Sequence, residues 1–146
     1  MNLPDTNVWL ALALSQHTFH AAARKWLLGQ FDVASVLFCR STVQSFLRLL
    51  STDAVMRPYG LPPLTNAAAW GIYREFRSDS RIGYAAEPKG IDELWERLAV
   101  RETASPKLWM DAYLAAFALR GNYVCVTTDD AFRQFVSLHP VILSNR

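Results

Sequence analysis

Short, continuous apolar runs alternate along the chain with longer segments whose apolar residues recur every three or four positions. Short runs are typical of buried strands, and the longer spacing is typical of amphipathic helices. The runs predict strands at residues 2–4, 33–39, 82–86, 123–127 and 141–143. The longer segments predict helices at residues 7–14, 19–28, 66–77, 91–99, 106–120 and 131–136, and one more that follows Ser41 or Thr42 as its cap.

The alternation of strands and helices favours a single α/β domain. Parallel strands joined by helices are usually covered on both faces, so we expect a three-layer α/β/α sandwich with a mostly parallel central sheet. The 146 residues show no internal repeat, low-complexity tract or long linker, so we expect one domain over residues 1–146. Ligands of such sheets bind beyond the carboxyl ends of the strands.

Two aspartates lie directly after predicted strands. Asp5 follows the strand at 2–4, and Asp129 follows the strand at 123–127. Both therefore fall at the edge of the sheet where a site is expected. Each also precedes a predicted helix, and aspartate is a favoured N-cap residue, so a capping role explains either position equally well.

A third aspartate, Asp111, lies inside the most apolar of the predicted helices. Its neighbours around the helix axis include Leu108, Leu114 and Ala115, which predicts a buried environment. A buried carboxylate without a partner is costly. Two explanations remain open: an ordinary ion pair, with Lys107 at i−4 or with another helix, or a carboxylate kept there because it binds a metal ion.

Three carboxylates from distant parts of the chain suit a hard divalent cation. Mg²⁺ and Mn²⁺ prefer oxygen ligands, and a bound ion lowers the pKa of its water. The three histidines show no spacing typical of a zinc site. With the three aspartates assigned to a metal, ten acidic residues face fifteen Lys and Arg. Such a basic rim suits a polyanionic substrate, although composition alone favours an ordinary solvated surface.

The two cysteines and the amino terminus indicate a compartment. Cys39 and Cys125 lie in apolar runs without metal-ligand spacing, which is typical of buried free thiols in a reducing environment. The first residues do not resemble a signal peptide, and Asp111 interrupts the longest apolar stretch before it reaches the length of a membrane span. We therefore expect a cytoplasmic protein without a membrane contact.

Three segments together resemble a known family. MNLPDTNVWL at residues 1–10 is similar to the opening of PIN-domain proteins, WMDAYLAA at 109–116 resembles their central acidic helix, and VTTDDAF at 126–132 resembles their late acidic segment. Their order, their spacing and the chain length resemble the VapC toxins of bacterial toxin–antitoxin pairs. Each motif alone is weak, whereas the ordered set is specific and covers essentially the whole chain.

The resemblance implies a function and a set of site residues. Asp5, Asp111 and Asp129 would bind Mg²⁺ or Mn²⁺, and Asn7 and Thr127 would support these acids. The expected activity is metal-dependent endoribonuclease cleavage of structured RNA, often tRNA or rRNA. The expected partners are a second copy of the chain, in a homodimer, and a VapB-like antitoxin that covers the site.

This chain departs from the family pattern at two positions. Gln44 stands where most PIN nucleases carry a glutamate, which leaves one less negative charge and favours a single metal ion. Met110 stands where a threonine or serine commonly precedes the acid. These departures keep an alternative open, namely a weak or inactive PIN domain that binds RNA or protein. Asp130 is an alternative ligand to Asp129, which aligns better with the motif.

Two other classes of protein fit less well. A haloacid-dehalogenase-like phosphatase also has an aspartate after its first strand, but it needs a second carboxylate where this chain has Asn7. A receiver-type phosphoacceptor needs paired acids at the first strand and a late lysine after a strand, and neither is evident.

Basic and aromatic residues near the motifs are candidates for RNA contacts. The candidates for phosphate binding are Arg40, Arg48, Lys107, Arg120 and Arg133. The candidates for stacking on unpaired bases are Trp9, Trp109 and Phe132, with core packing as the alternative for each. The candidates for an antitoxin groove or a dimer face are Phe19, Trp26, Phe46 and Leu47.

Overall fold

The computed structural model describes residues 1–145 and contains a five-stranded sheet in the order β3-β2-β1-β4-β5. Every neighbouring pair of strands is parallel, as the sequence predicted. The strands are β1 (Asn2–Pro4), β2 (Val36–Phe38), β3 (Ile82–Tyr84), β4 (Val124–Thr127) and β5 (Val141–Ile142).

Helices connect the strands and cover the sheet. They are α1 (Thr6–Ala13), α2 (His20–Leu28), α3 (Arg40–Leu50), α4 (Asp53–Met56), α5 (Asn66–Ser78), α6 (Ile91–Ala99) and α7 (Leu108–Gly121). Two 3₁₀ turns, Arg57–Tyr59 and Asp130–Gln134, complete the described elements. Within the described part of the chain, no helix is long and apolar enough to cross a lipid bilayer.

Successive residues along the strands pack into apolar clusters on opposite faces of the sheet. Leu37 packs with α6 and α7, whereas its neighbours Val36 and Phe38 pack with α1, α3 and α5. In β4, Cys125 and Val126 divide between the two faces in the same way. This period-two alternation is that of a strand buried on both faces, and it gives the predicted three-layer α/β/α sandwich.

Several element boundaries differ from the predictions. The strand expected at 33–39 is shorter because Ala34 has a φ of 51°, and Val33 before it is exposed. The helix expected from Pro106 begins at Leu108. Its first turn is also not buried as predicted, because Trp109 and Met110 are half exposed. The helix at 53–56 was not expected, and the helix expected at 131–136 is the 3₁₀ turn Asp130–Gln134.

The sheet order brings distant parts of the chain to one edge. β1 and β4 are adjacent, with Pro4 opposite Val126, so the residues that follow them lie side by side. β2 pairs with the other side of β1 and leads into α3. The carboxyl ends of β1, β2 and β4 therefore define one zone at which functional side chains can meet.

Candidate functional site

Asp5 is held in place from two sides at the end of β1. One carboxylate oxygen accepts a 3.1 Å hydrogen bond from the backbone N–H of Val8, so Asp5 is the N-cap of α1. The other oxygen accepts a hydrogen bond from the hydroxyl of Thr127. The residue is only 6% exposed. The capping role considered from the sequence is therefore confirmed, and the cap holds a buried carboxylate at the edge of the sheet where a site is expected.

Burial changes the acidity of this carboxyl group. Loss of solvent raises the pKa of Asp5 from its ordinary 3.8 to about 6, although the hydrogen bonds from Thr127 and Val8 act in the opposite direction. The negative charge of Asp111 adds to the increase. An ionised Asp5 is therefore unfavourable unless a cation lies near it.

Thr127 links two of the predicted site residues. Its hydroxyl donates to Asp5 and accepts a 3.0 Å hydrogen bond from the backbone N–H of Asp129. The side chain is fully buried at the end of β4. A single hydroxyl at this position therefore sets the orientation of the Asp5 carboxylate and the path of the chain into Asp129.

Asp129 is an N-cap with an ion pair. One of its carboxylate oxygens accepts a 2.8 Å hydrogen bond from the backbone N–H of Ala131, and the other lies 2.5 Å from Nζ of Lys107. The Lys107 ammonium, followed by the Ala131 N–H, holds the pKa of Asp129 below its ordinary value. Asp130, the alternative ligand, is 82% exposed in its side chain and pairs with Arg133.

Asp111 lies in the first turn of α7, with its side chain 17% exposed. Nζ of Lys107 is 3.9 Å from its carboxylate, so the ion pair considered from the sequence does form. The same ammonium is much closer to Asp129. Burial raises the pKa of Asp111, because the attraction of Lys107 is the smaller effect. The pairing therefore leaves Asp111 incompletely compensated.

Asp5 and Asp111 open into the same small cavity, which we call the acidic cavity. It measures about 90 Å³ and is also lined by oxygen- or amide-bearing side chains, Thr6, Asn7, Ser41 and Thr42. Sequence reasoning named Asn7 but missed the hydroxyls of Thr6, Ser41 and Thr42 as site residues. Ser41 and Thr42 were predicted only as N-caps, but both lie inside α3, whose N-cap is Cys39; Thr42 accepts the Cys39 N–H at 3.0 Å from within the first turn.

The donor set of the acidic cavity fits a hard cation. Carboxylate, hydroxyl and amide oxygens are what Mg²⁺ and Mn²⁺ prefer, and Asp5 and Asp111 supply the negative charge. Asp129 does not line this cavity, because its carboxylate is turned to Lys107. Accordingly, residues 1–145 contain no group of three or more His, Cys, Asp or Glu side chains arranged to hold a metal ion.

The two departures from the family pattern lie beside the acidic cavity. Gln44 is exposed on α3 and lines a neighbouring cleft, without lining the acidic cavity itself. Met110 lines both cavities. Met110 therefore contributes an apolar side chain to the boundary between the two cavities, which Ser41 also lines.

The structure separates the aromatic candidates for RNA stacking. Trp9 and Phe132 are buried core residues, so the stacking role considered for them is wrong. Trp9 packs with its ring centroid 3.6 Å from that of Phe38. Trp109 is 51% exposed and accessible to a ligand.

Comparison with known proteins identifies the family. The PIN domain model matches residues 3–137 of the chain. The chain is 54% identical to Ribonuclease VapC41 of Mycobacterium tuberculosis over 136 residues. The aligned region covers 92% of this chain and 93% of that relative. The chain therefore belongs to the PIN-domain family, in its VapC branch.

Solved structures share the fold at much lower sequence identity. VapC20 of Mycobacterium tuberculosis, described as a sarcin–ricin loop cleaving toxin, superposes with a TM-score of 0.62 at 17% identity, over 92% of this chain and 94% of that one. FitAB bound to a DNA fragment superposes with a TM-score of 0.66 at 17% identity, over 99% and 95%. These neighbours support the three-layer sandwich.

Proposed function

We propose that the chain is a Mg²⁺- or Mn²⁺-dependent endoribonuclease and the toxin of a toxin–antitoxin pair. The observation that carries this proposal is the convergence of Asp5 and Asp111 on one oxygen-lined cavity. The chain also shares 54% identity with a protein named as a ribonuclease. The edge at which the cavity lies is the one at which parallel α/β sheets bind ligands.

The residues of the chain have distinct roles in this proposal. Asp5 and Asp111 would hold the cation, and Asp129 would join them when its carboxylate leaves Lys107. Thr127 keeps the Asp5 carboxylate in position and fixes the backbone of Asp129. When bound, a divalent ion activates water for attack on a phosphodiester and neutralises charge at the phosphate. Lys107, released from Asp129, would then be free to contact a phosphate oxygen.

We extend the proposal to the substrate and partners expected from the family. VapC20, which shares the fold, is described as cleaving the sarcin–ricin loop. We therefore expect a structured RNA, a tRNA or an rRNA, as the substrate. A VapB-like antitoxin and a second copy of the chain complete the proposed assembly in the cytoplasm.

A cleavage assay tests the nuclease proposal. Purified protein is incubated with total RNA and with synthetic stem-loops, in Mg²⁺, in Mn²⁺ and in EDTA, beside the Asp111→Asn variant. We expect discrete cuts that require the metal and disappear in the variant. Induced expression should arrest growth, and Asp5→Ala should relieve the arrest. Equal arrest by both forms, or cuts that survive EDTA, would contradict the proposal.

A second function is favoured by one observation. In the described residues, the three aspartates do not form a three-ligand cluster. The departures from the family pattern noted at Gln44 and Met110 agree with this observation. A PIN domain that binds RNA or protein without cutting would fit this arrangement. RNA binding without cuts in Mg²⁺ and in Mn²⁺ would favour this second function.

A further inference from the structure

A second and larger cavity lies beside the acidic cavity, and we call it the aromatic cleft. It measures about 530 Å³, and Ser41 and Met110 line both cavities. Its principal lining residues are Arg40, Gln44, Tyr84, Trp95, Met110 and Tyr113. Tyr84 ends β3 and Arg40 begins α3 after β2, so the cleft lies at the same edge of the sheet as the aspartates.

The aromatic wall of the cleft is held rigidly. The rings of Trp95 and Tyr113 meet edge to face, with centroids 5.3 Å apart and planes at 77°. The indole N–H of Trp95 donates to the carbonyl of Trp109 at 2.9 Å. The Tyr113 hydroxyl donates to the Glu87 carboxylate at 2.7 Å. These polar ends are satisfied by the protein, so the rings present preorganised flat surfaces.

A second group of residues at the cleft combines an exposed ring with positive charge. Tyr84 is 37% exposed, and the guanidinium carbons of Arg40 and Arg77 lie 5.0 and 5.9 Å from its ring centroid. Arg77 also donates to the Tyr73 hydroxyl at 2.9 Å, whereas Arg40 is exposed on the rim. Glu87 supplies a negative charge and Gln44 an exposed amide on the same cleft.

These features match the parts of a nucleotide. A flat base stacks on aromatic or guanidinium surfaces, its edge bonds to amide or carboxylate groups, and its phosphate pairs with a cation. An aliphatic ligand would make no use of the exposed Gln44 amide or of the Arg40 charge. The cleft also shares two lining residues, Ser41 and Met110, with the acidic cavity, where the proposed reaction takes place.

We propose that the aromatic cleft binds one unpaired nucleobase of the RNA strand whose backbone crosses the acidic cavity. The inference depends on the proposed function for its choice of RNA. Tyr84 provides the accessible stacking surface, Arg40 the phosphate contact, and Gln44 the contact to the edge of the base. A base within a duplex cannot enter, so cleavage is directed to loops, bulges or ends.

A binding experiment in EDTA tests this inference without cleavage. Fluorescein-labelled decamers of uridine and of adenosine are compared with a decamer of abasic ribose phosphates, which carries the same charge. Binding is followed by fluorescence anisotropy at one salt concentration, because phosphate contacts depend on salt. The wild type should bind at least one base-bearing decamer roughly tenfold more tightly than the abasic one, as stacking of a base implies.

Three variants make the test specific to the cleft. Tyr84→Ala should remove most of the preference for bases, and Tyr84→Phe should keep it because the ring remains. Phe31→Ala is the matched control: Phe31 is 85% exposed but lies in the segment before β2, at the opposite end of the strands. Its removal should change nothing. An unchanged preference in Tyr84→Ala would overturn the inference, as would equal binding of the abasic decamer.

Photocrosslinking gives a second readout that does not depend on a variant. A decamer containing 4-thiouridine is irradiated with the wild-type protein in EDTA, and the crosslinked peptides are identified by mass spectrometry. We expect crosslinks to Tyr84, Trp95 or Tyr113, and crosslinks confined to other surfaces would contradict the inference. If the protein still makes metal-dependent cuts, the nuclease proposal survives that failure and the cleft becomes a candidate protein contact.

Discussion

Two corners of the molecule can be compared, and each contains an aspartate cap. At the first corner β1 leads into α1 and the cap is Asp5; at the second, β4 leads into the 3₁₀ turn Asp130–Gln134 and the cap is Asp129. The two carboxylates have different surroundings. Asp5 is buried and forms no ion pair among residues 1–145, and burial raises its pKa to about 6. Asp129 is more accessible, and Lys107 lowers its pKa. Thr127 contacts both residues.

Under the proposed function, the difference would separate a fixed metal ligand, Asp5, from an adjustable one, Asp129. The Asp5 carboxylate is held by hydrogen bonds from the Val8 N–H and the Thr127 hydroxyl, and burial makes its ionised form unfavourable. The Asp129 carboxylate is already neutralised by Lys107, which is 71% exposed in its side chain and can move away. We infer that a cation relieves a cost at Asp5, whereas it displaces a partner at Asp129.

The largest effect should come from the residue that faces Asp5 across the acidic cavity. Asp111→Asn keeps the shape of the side chain but removes the charge that a cation needs, so RNA cleavage should fall by roughly a hundredfold or more. The measurement is the initial rate of cleavage in saturating Mg²⁺. The control is Asp92→Asn, which alters an exposed aspartate in the first turn of α6. Equal losses in both variants would contradict the assignment.

The cost of the buried Asp5 charge predicts a gain in stability. In EDTA at pH 7.5, Asp5→Asn should unfold at a higher denaturant concentration than the wild type. Its free energy of unfolding should be higher by up to about 3 kcal/mol. A folded-state pKa near 6 against 3.8 means that the wild type loses stability as the pH rises from about 4 to 6. The advantage of the variant should therefore vanish near pH 4.

Asp79 provides the control of opposite sign for that prediction. Its hydrogen bonds with Arg81 hold its pKa below the ordinary value, so the ionised form stabilises the fold. Asp79→Asn should lower the stability at pH 7.5, and the loss should shrink as the pH falls through the pKa of the wild-type carboxyl group. A destabilised Asp5→Asn protein at pH 7.5 would show that the cap, rather than the charge, dominates at Asp5.

Removal of the Thr127 hydroxyl should disturb both corners together. Thr127→Val preserves the branched shape but leaves Asp5 and the Asp129 N–H without their shared partner. We expect roughly a tenfold weaker metal affinity and a loss of about 1–2 kcal/mol in unfolding free energy. Thr127→Ser should restore most of both quantities. Metal titration and chemical denaturation provide the measurements. Unchanged metal affinity and stability in Thr127→Val would show that the hydrogen bonds of the Thr127 hydroxyl do not support the site.

The smallest change in metal affinity is expected at the corner that contains Asp129. Lys107→Gln removes the ammonium that competes for Asp129, so the affinity for Mn²⁺ should rise by a few-fold, the amount that a partly exposed ion pair contributes. Lys89→Gln is the control, since Lys89 is exposed and makes no ion pair among residues 1–145. Weaker Mn²⁺ binding in Lys107→Gln would show that the lysine orients the acids.

The parallel sheet and the zone of the site followed from local patterns. Buried strands such as β4 read as short apolar runs, and their parallel arrangement places Asp5 and Asp129 at one edge. The Lys107–Asp111 pair was also foreseeable, because residues four apart on a helix are neighbours. These features depend on contacts within one element or on the shared direction of parallel strands, which places their carboxyl ends at one edge.

The remaining features depend on side-chain contacts between distant parts of the chain. Nothing in the sequence around Lys107 shows that its ammonium lies closer to Asp129 than to Asp111. The half-exposed start of α7 was missed because an apolar sequence was taken as a buried one. The aromatic cleft joins Tyr84, Trp95 and Tyr113 from three separate elements, and no local pattern connects them.

A titration of the protein with Mn²⁺, followed by electron paramagnetic resonance, tests the central claim most directly. The free ion gives a strong signal that is lost on binding, and no substrate is needed. The account predicts that the wild-type protein binds Mn²⁺ and that Asp5→Asn and Asp111→Asn each bind it far more weakly, whereas Asp92→Asn binds it like the wild type. Equal binding by all four proteins, or no binding by a wild type that cuts RNA, would contradict it.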